Sequence, residues 1–206
     1  MVIASHVIFT AYGFWLPNDP RGSWSDFVGS WELYHFGPAT KTELRNSLAR
    51  TEHDRTLRRA AKTALKFMPV EFTGVQARAV GHGFAKAIVD RGYRMFACSI
   101  LPAHVHAVIG RHERDAEDIV GHLKFAATRE LCAQGLHPFE QHREAQGKLP
   151  TMWTKRSWKV FLDSDESVLR AIGYVEGNPV KEGKPVQRWS FVLPYKSATA
   201  PRTRGG

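Results

Sequence analysis

The order in which strand-like and helix-like segments alternate constrains this chain more than any other feature. Residues 3–14 (IASHVIFTAYGF), 93–101 (YRMFACSIL), 104–110 (HVHAVIG) and 158–162 are short and rich in β-branched and aromatic side chains, as strands are. Residues 72–91 repeat apolar Val75, Ala79, Val80, Phe84, Ala87 and Ile88 with helical period. Thr73 and Gln76 have the spacing of a capping box, and Gly92 ends the helix. Residues 115–134 repeat Ile119, Leu123, Ala126, Ala127 and Leu131 in the same way. A third helix starts at Asp163 or Ser164 and stops near Asn178, because Pro179 disfavours a helical residue before it. The order β–α–β–β–α–β–α predicts an α+β fold, a ferredoxin-like antiparallel sheet with helices on one face.

The pattern breaks between residues 15 and 68, where turn formers (Pro17, Asn18, Asp19, Pro20, Gly22) precede a basic helical stretch near 40–66. This piece is read as an insertion after the first strand, covering something, within one domain spanning 1–206. Residues 197–206 are read as a flexible tail. Lysine and arginine outnumber aspartate and glutamate by 29 to 20, a formal charge of +9. That balance favours polyanionic partners, whose counterions are released on binding. Residues 151–206 carry ten basic and five acidic side chains, so the polyanion surface is expected toward the C-terminal part. The two cysteines, Cys98 and Cys132, support neither a disulfide framework nor a cysteine zinc site. With no signal-like start and no run of membrane-spanning length, a cytoplasmic protein with no membrane partner is expected.

His104-Val105-His106 falls on a strand, where alternate residues share a face, so both imidazoles project together and can share one metal ion. Alone, such a pair also suits two ordinary histidines or an unrelated H-x-H metalloenzyme of cupin-like or other metallohydrolase type. In the last helix, Val168, Ile172 and Val175 form an apolar stripe, whereas Tyr174 lies off it. Asn178 stands one turn above Tyr174, and Arg170 and Ser167 continue that face in the other direction.

Taken together, LPAHVHAVIG resembles the HUH motif (histidine, hydrophobic residue, histidine) of single-tyrosine transposases, and YVEGNPVKEG resembles their tyrosine helix. The chain looks like a REP-associated tyrosine transposase or one of the insertion-sequence (200-like) relatives, over roughly residues 3–14 and 72–190. The insertion is longer than the compact members of that family lead one to expect. The resemblance implies that His104, His106 and Asn178 hold a divalent metal, Mg2+ or Mn2+ before zinc, with no organic cofactor. It implies that Tyr174 attacks a phosphate of single-stranded DNA, leaving a 5′-phosphotyrosine and a free 3′-hydroxyl that another strand can later use. A nearby cation, the metal or Arg170, would favour the phenolate needed for that attack. The partner implied is single-stranded DNA with hairpin (palindromic repeat) elements, handled by a monomer or homodimer associated with the nucleoid. A domesticated relative that binds nucleic acid without cleaving it is the alternative.

Lys124, Arg129, Lys155, Arg156 and Lys159, with Arg170, are the candidate phosphate contacts, and a solvated basic face is the competing reading. Trp153 and Trp158 are interleaved with those charges, which suits base stacking or core packing equally. His6 reads as a hydrogen-bonded core residue, and His112, His122, His137 and His142 as surface residues.

Overall fold

The computed structural model of the chain describes residues 1–17, 31–37 and 54–197. Strands β1 (Ala4–Ala11), β2 (Met95–Ile100), β3 (His104–Gly110) and β4 (Trp153–Leu162) form one antiparallel sheet in the order β2-β3-β1-β4. Helices are α1 (Arg55–Thr63), α2 (Gly74–Arg91), α3 (Ala116–Ala133) and α4 (Asp165–Lys181). The α+β class and the antiparallel sheet are as the alternation predicts.

The expectation of helices on one face holds only for α2 and α3. Val7, Phe9, Val105, Ala107 and Ile109 point to one side of the sheet and pack with Val80, Phe84, Ile119, Leu123 and Leu131. The alternate residues Ala4 and Val108 point to the other side and pack with Val168, Ala171 and Val175 of α4. The sheet is thus covered on both faces. α2 and α3 approach closely at Gly83, where a Cβ would come within 2.7 Å of the Ala126 and Ala127 backbone.

Helix starts follow the sequence signals. Thr73 and Gln76 form the capping box of α2, and Gly92 closes it in the left-handed conformation at φ 66°. Asp115 caps α3, and Ser164 caps α4 with Ser167 as its reciprocal partner. Val75, expected on the apolar face, is instead 62% exposed in the first turn of α2. β4 begins five residues before the expected Trp158, because Trp153 buries its ring against Phe9 and Phe72.

The largest departure is the end of α4. Pro179 lies inside the helix, which continues to Lys181. Proline removes one backbone donor in this last full turn, but Asn178 and Pro179 are both buried, and packing holds Asn178 helical. The Glu182 and Lys184 amides then bond the carbonyls of Asn178 and Pro179, closing the turn.

Of the insertion, α1 is capped by Asp54 and seats Ala61 against Leu16 and Leu33 in a small separate apolar cluster. The NDPRGSW segment, residues 38–53 and the tail from 198 onward lie outside the described residues.

Candidate active site

β3 is an inner strand, and its alternation turns His104 and His106 toward α4, their ring centroids 5.0 Å apart. In the β1–β3 register Ile8 pairs with His106 and His6 with Val108, so His6 lies diagonally beside His106 on the same face. The two rings stack at 5.5 Å, and His6 Nε2 is 3.3 Å from His106 Nδ1. His6 is buried and hydrogen-bonded as its sequence context predicts, but its partner is a residue of the site. That pairing became visible only with the register. Burial lowers the His6 imidazolium to about 4. For His106, burial first and then the charges of His104 and His6 lower it to about 2, so both rings are neutral near pH 7.

α4 brings the second half of the site. Tyr174 is 46% exposed, and its ring sits edge-on at 5.7 Å from both His6 and His106. Asn178, one turn on, is buried, and its Nδ2 has no hydrogen-bond partner among the described residues. Because α4 runs past Pro179, two residues that the sequence reading left aside join them. Lys181 holds its Nζ 4.7 Å from the Tyr174 ring centroid, and Glu182 Oε1 is 3.6 Å from His104 Nε2. Positions 174, 178, 181 and 182 follow helical spacing. That signal was present in the sequence, hidden by the assumption that proline ends the helix.

These side chains fit a divalent cation. Neutral imidazoles are the ligand form of histidine, and engagement of His106 Nδ1 by His6 leaves Nε2 as the outward donor. Among the described residues no three His, Cys, Asp or Glu side chains are grouped as a metal site. Asn178, one helical turn from Tyr174, carries a buried amide nitrogen without a partner among the described residues.

The candidate phosphate contacts do not gather in one place. Lys124 is buried, contrary to the expectation of a phosphate-binding side chain. Its Nζ donates to the Thr154 and Arg156 carbonyls at 2.9 and 3.3 Å and ties α3 to β4. Burial, only partly opposed by Glu117, lowers its pKa to about 8. Arg129 is exposed on α3, over the Phe125 ring, on the side of the sheet away from Tyr174. Lys155 and Lys159 are exposed on β4 and alternate to that same side, whereas Arg156 shares the face of Trp158. Arg170 bonds Glu166 at 2.5 Å and, with Trp158, Ile8, Val160 and Tyr174, lines a cavity of about 270 Å³ beside the nucleophile candidate. Trp153 belongs to the core, and half-buried Trp158 packs edge-on against His6 at 5.4 Å. His137 is buried rather than at the surface, its Nδ1 accepting from the Phe139 amide.

No family model matches the chain. It is 28% identical over 124 residues to a Haemophilus influenzae protein provisionally named a REP-associated tyrosine transposase, covering 55% of this chain and 68% of that one. One similar solved structure is a REP-associated tyrosine transposase bound to a REP hairpin, at 14% identity and a TM-score of 0.45, covering 96% and 95% of the two chains. A second is a Deinococcus radiodurans R1 protein provisionally named a transposase, at 13% identity and a TM-score of 0.37, covering 86% and 91%. The sequence relative carries the comparison; scores this low add no argument of their own.

Proposed function

We propose, from the premise that this chain is a relative of the REP-associated tyrosine transposases, that it nicks and rejoins single-stranded DNA with Tyr174 as nucleophile. The observation that carries the proposal is the approach of Tyr174 to His106 within one chain, ring to ring at 5.7 Å. A phenol beside a pair of neutral imidazoles, at the surface and reachable by a strand, is the arrangement that phosphoryl transfer to tyrosine needs.

A divalent cation held by His104, His106 and Asn178, Mg2+ or Mn2+ before zinc, would act as a Lewis acid on the scissile phosphate. Tyr174 Oη forms the new bond to phosphorus as the bond from phosphorus to the 3′ oxygen breaks. The phenolic proton is lost to solvent, and the departing 3′ oxygen takes one up. The product is a 5′-phosphotyrosine and a free 3′-hydroxyl, and attack by another 3′-hydroxyl reverses the step without ATP. Lys181, over the ring face, adds positive charge where the attacking oxygen becomes anionic. His6 is a positioning residue that fixes the His106 ring. Glu182 sets a carboxylate oxygen 3.6 Å from His104 Nε2, beside the metal-ligand candidates. The cavity beside Tyr174 gives a neighbouring nucleotide an apolar seat, with Arg170 at its rim. The substrate is hairpin-bearing single-stranded DNA, as the likeness to the REP-associated tyrosine transposases implies. No helix among the described residues is long and apolar enough to cross a membrane, and action on chromosomal DNA puts the protein in the cytoplasm with the nucleoid.

The test is incubation with hairpin-bearing single-stranded DNA and Mn2+, followed by denaturing electrophoresis. A covalent protein–DNA adduct that needs metal supports the reading. Tight binding with no adduct under any metal would make the chain a non-cleaving relative.

A further inference from the structure

A cationic helix face among the described residues lies in the insertion, away from the C-terminal half where the charge count pointed. Arg55, Arg58, Arg59 and Lys62 follow the spacing i, i+3, i+4, i+7 and share one side of α1. A flank of the helix away from this face is anchored by buried Ala61 against Leu16 and Leu33. A basic helix face is usually just solvated, but this one forms the wall of a cleft of about 560 Å³. The other walls include Phe14 and Ala103. Ala103 directly precedes His104, and the Phe14 ring is 4.9 Å from the His104 ring. The cleft therefore opens beside the metal-ligand candidates. Among the described lining residues Glu71 is the acidic one, 3.9 Å from Lys62 and two-thirds exposed, against Arg55, Arg58, Arg59 and Lys62.

We propose that α1 is a phosphate track: the single strand that reaches Tyr174 lays its sugar–phosphate backbone across Arg55, Arg59 and Lys62, with Arg58 deeper in the cleft. The identity of the ligand rests on the strand-transfer reading above; the positive cleft beside His104 does not. Guanidinium groups suit the track because each offers a planar fork of donors to phosphate oxygens. Contacts of this kind bind without reading sequence, so the track sets how firmly and in which direction the strand is held. This gives the insertion a function: it extends the site on its His104 side, while the cavity lined by Trp158 and Arg170 extends it on the His6 side.

The experiment measures binding of a fluorescent hairpin-bearing single strand to the full chain carrying Tyr174→Phe, in chelator, across a salt series. Binding is thereby read without cleavage. In the triple variant Arg55→Gln/Arg59→Gln/Lys62→Gln the slope of log affinity against log salt should fall by about 2, at roughly 0.7 per phosphate contact on a single strand. Affinity should drop about tenfold or more near 0.1 M salt. Glutamine keeps nearly the helix propensity of arginine, and the Ala61 seat is untouched, so α1 should persist. The charge-keeping variant Arg55→Lys/Arg59→Lys should retain most of the affinity and the full slope. In the Tyr174 background the triple variant should need more DNA to reach half-maximal adduct formation. A slope unchanged in the triple variant, or lowered equally by Arg91→Gln/Arg114→Gln elsewhere on the surface, would overturn the track. Failure of the wild-type chain to form any adduct would count against the strand-transfer reading alone, since the slope is measured independently of cleavage.

Discussion

Tyr174, His106 and His6 form a triangle of rings whose mutual distances are 5.5–5.7 Å, and their separate roles can be tested one residue at a time. Tyr174→Phe removes one oxygen from a half-exposed ring, so folding and DNA binding should persist while the covalent adduct disappears. Adduct formation by the phenylalanine variant would remove Tyr174 from the mechanism. His6 offers a test that needs no DNA. Burial depresses its folded-state pKa to about 4, below the roughly 6.5 of an unfolded imidazole. The unfolded chain therefore binds the extra proton first. The stability contributed by neutral His6 is complete above pH 6.5 and is lost as pH falls toward 4, about 2 kcal/mol of it by pH 5. Urea unfolding of the metal-free chain at pH 7 and pH 5 should show this loss, and His6→Phe should make it smaller. An equal loss in both proteins would mean that His6 is not the titrating group. Both His104 and His106 were legible as a pair from strand alternation, because that period needs no tertiary information. The part of His6 was not, since it depends on which residue of β1 lies opposite which residue of β3.

Helix starts were the most legible elements, and helix ends the least. Thr73 and Ser164 announce their helices through hydrogen bonds that close within four residues, so the sequence carries the whole signal. The end of α4 depends on burial of Asn178 and Pro179 against the sheet, which no local pattern encodes, and the three residues past Asn178 carry Lys181 toward Tyr174. The side on which each helix packs was likewise hidden, because an apolar stripe says that a helix is covered and not by which face of the sheet. Glycines separate the packed helices from the freer one. A Cβ at Gly83 would meet the Ala126 and Ala127 backbone at 2.7 Å, so Gly83→Ala should destabilise by about 1–3 kcal/mol as α2 and α3 are forced apart. At Gly173, next to the nucleophile candidate, a Cβ meets nothing within 4 Å. Gly173→Ala should therefore stabilise α4 by up to about 1 kcal/mol. Chemical denaturation of both variants decides, and a Gly83→Ala variant as stable as the wild type would mean that the α2–α3 approach is not what fixes Gly83. If strand transfer needs α4 to move, Gly173→Ala should also slow religation more than nicking.

At the scale of the whole molecule, the two halves of the candidate site meet within one chain. The sequence left open whether tyrosine and histidines of one site come from one chain or from two, because residues 68 positions apart (106 to 174) can meet either way. Here α4 packs on the sheet of its own chain through Val168, Ala171 and Val175, and Tyr174 reaches His106 and His6 without a second copy. Moving α4 to a partner would uncover Ala4, Phe96 and Val108, and at about 25 cal/mol per Å² of apolar surface that exposure is unfavourable unless an identical helix replaces it. A protein carrying Tyr174→Phe and another carrying His104→Ala/His106→Ala should therefore stay inactive when mixed, since neither chain holds a complete site. The histidine variant should remain folded, as the side chains removed face the site rather than the larger core. The measurement is adduct formation on hairpin-bearing single-stranded DNA by each protein alone and by the equimolar mixture, after partial unfolding and refolding to allow exchange of subunits. No adduct in the mixture, beside a wild-type control put through the same cycle that regains its activity, is the expected result. Recovery of adduct in the mixture, carried on the chain that keeps its tyrosine, would mean that α4 is exchanged between two copies and that the self-contained site is not the one that cleaves.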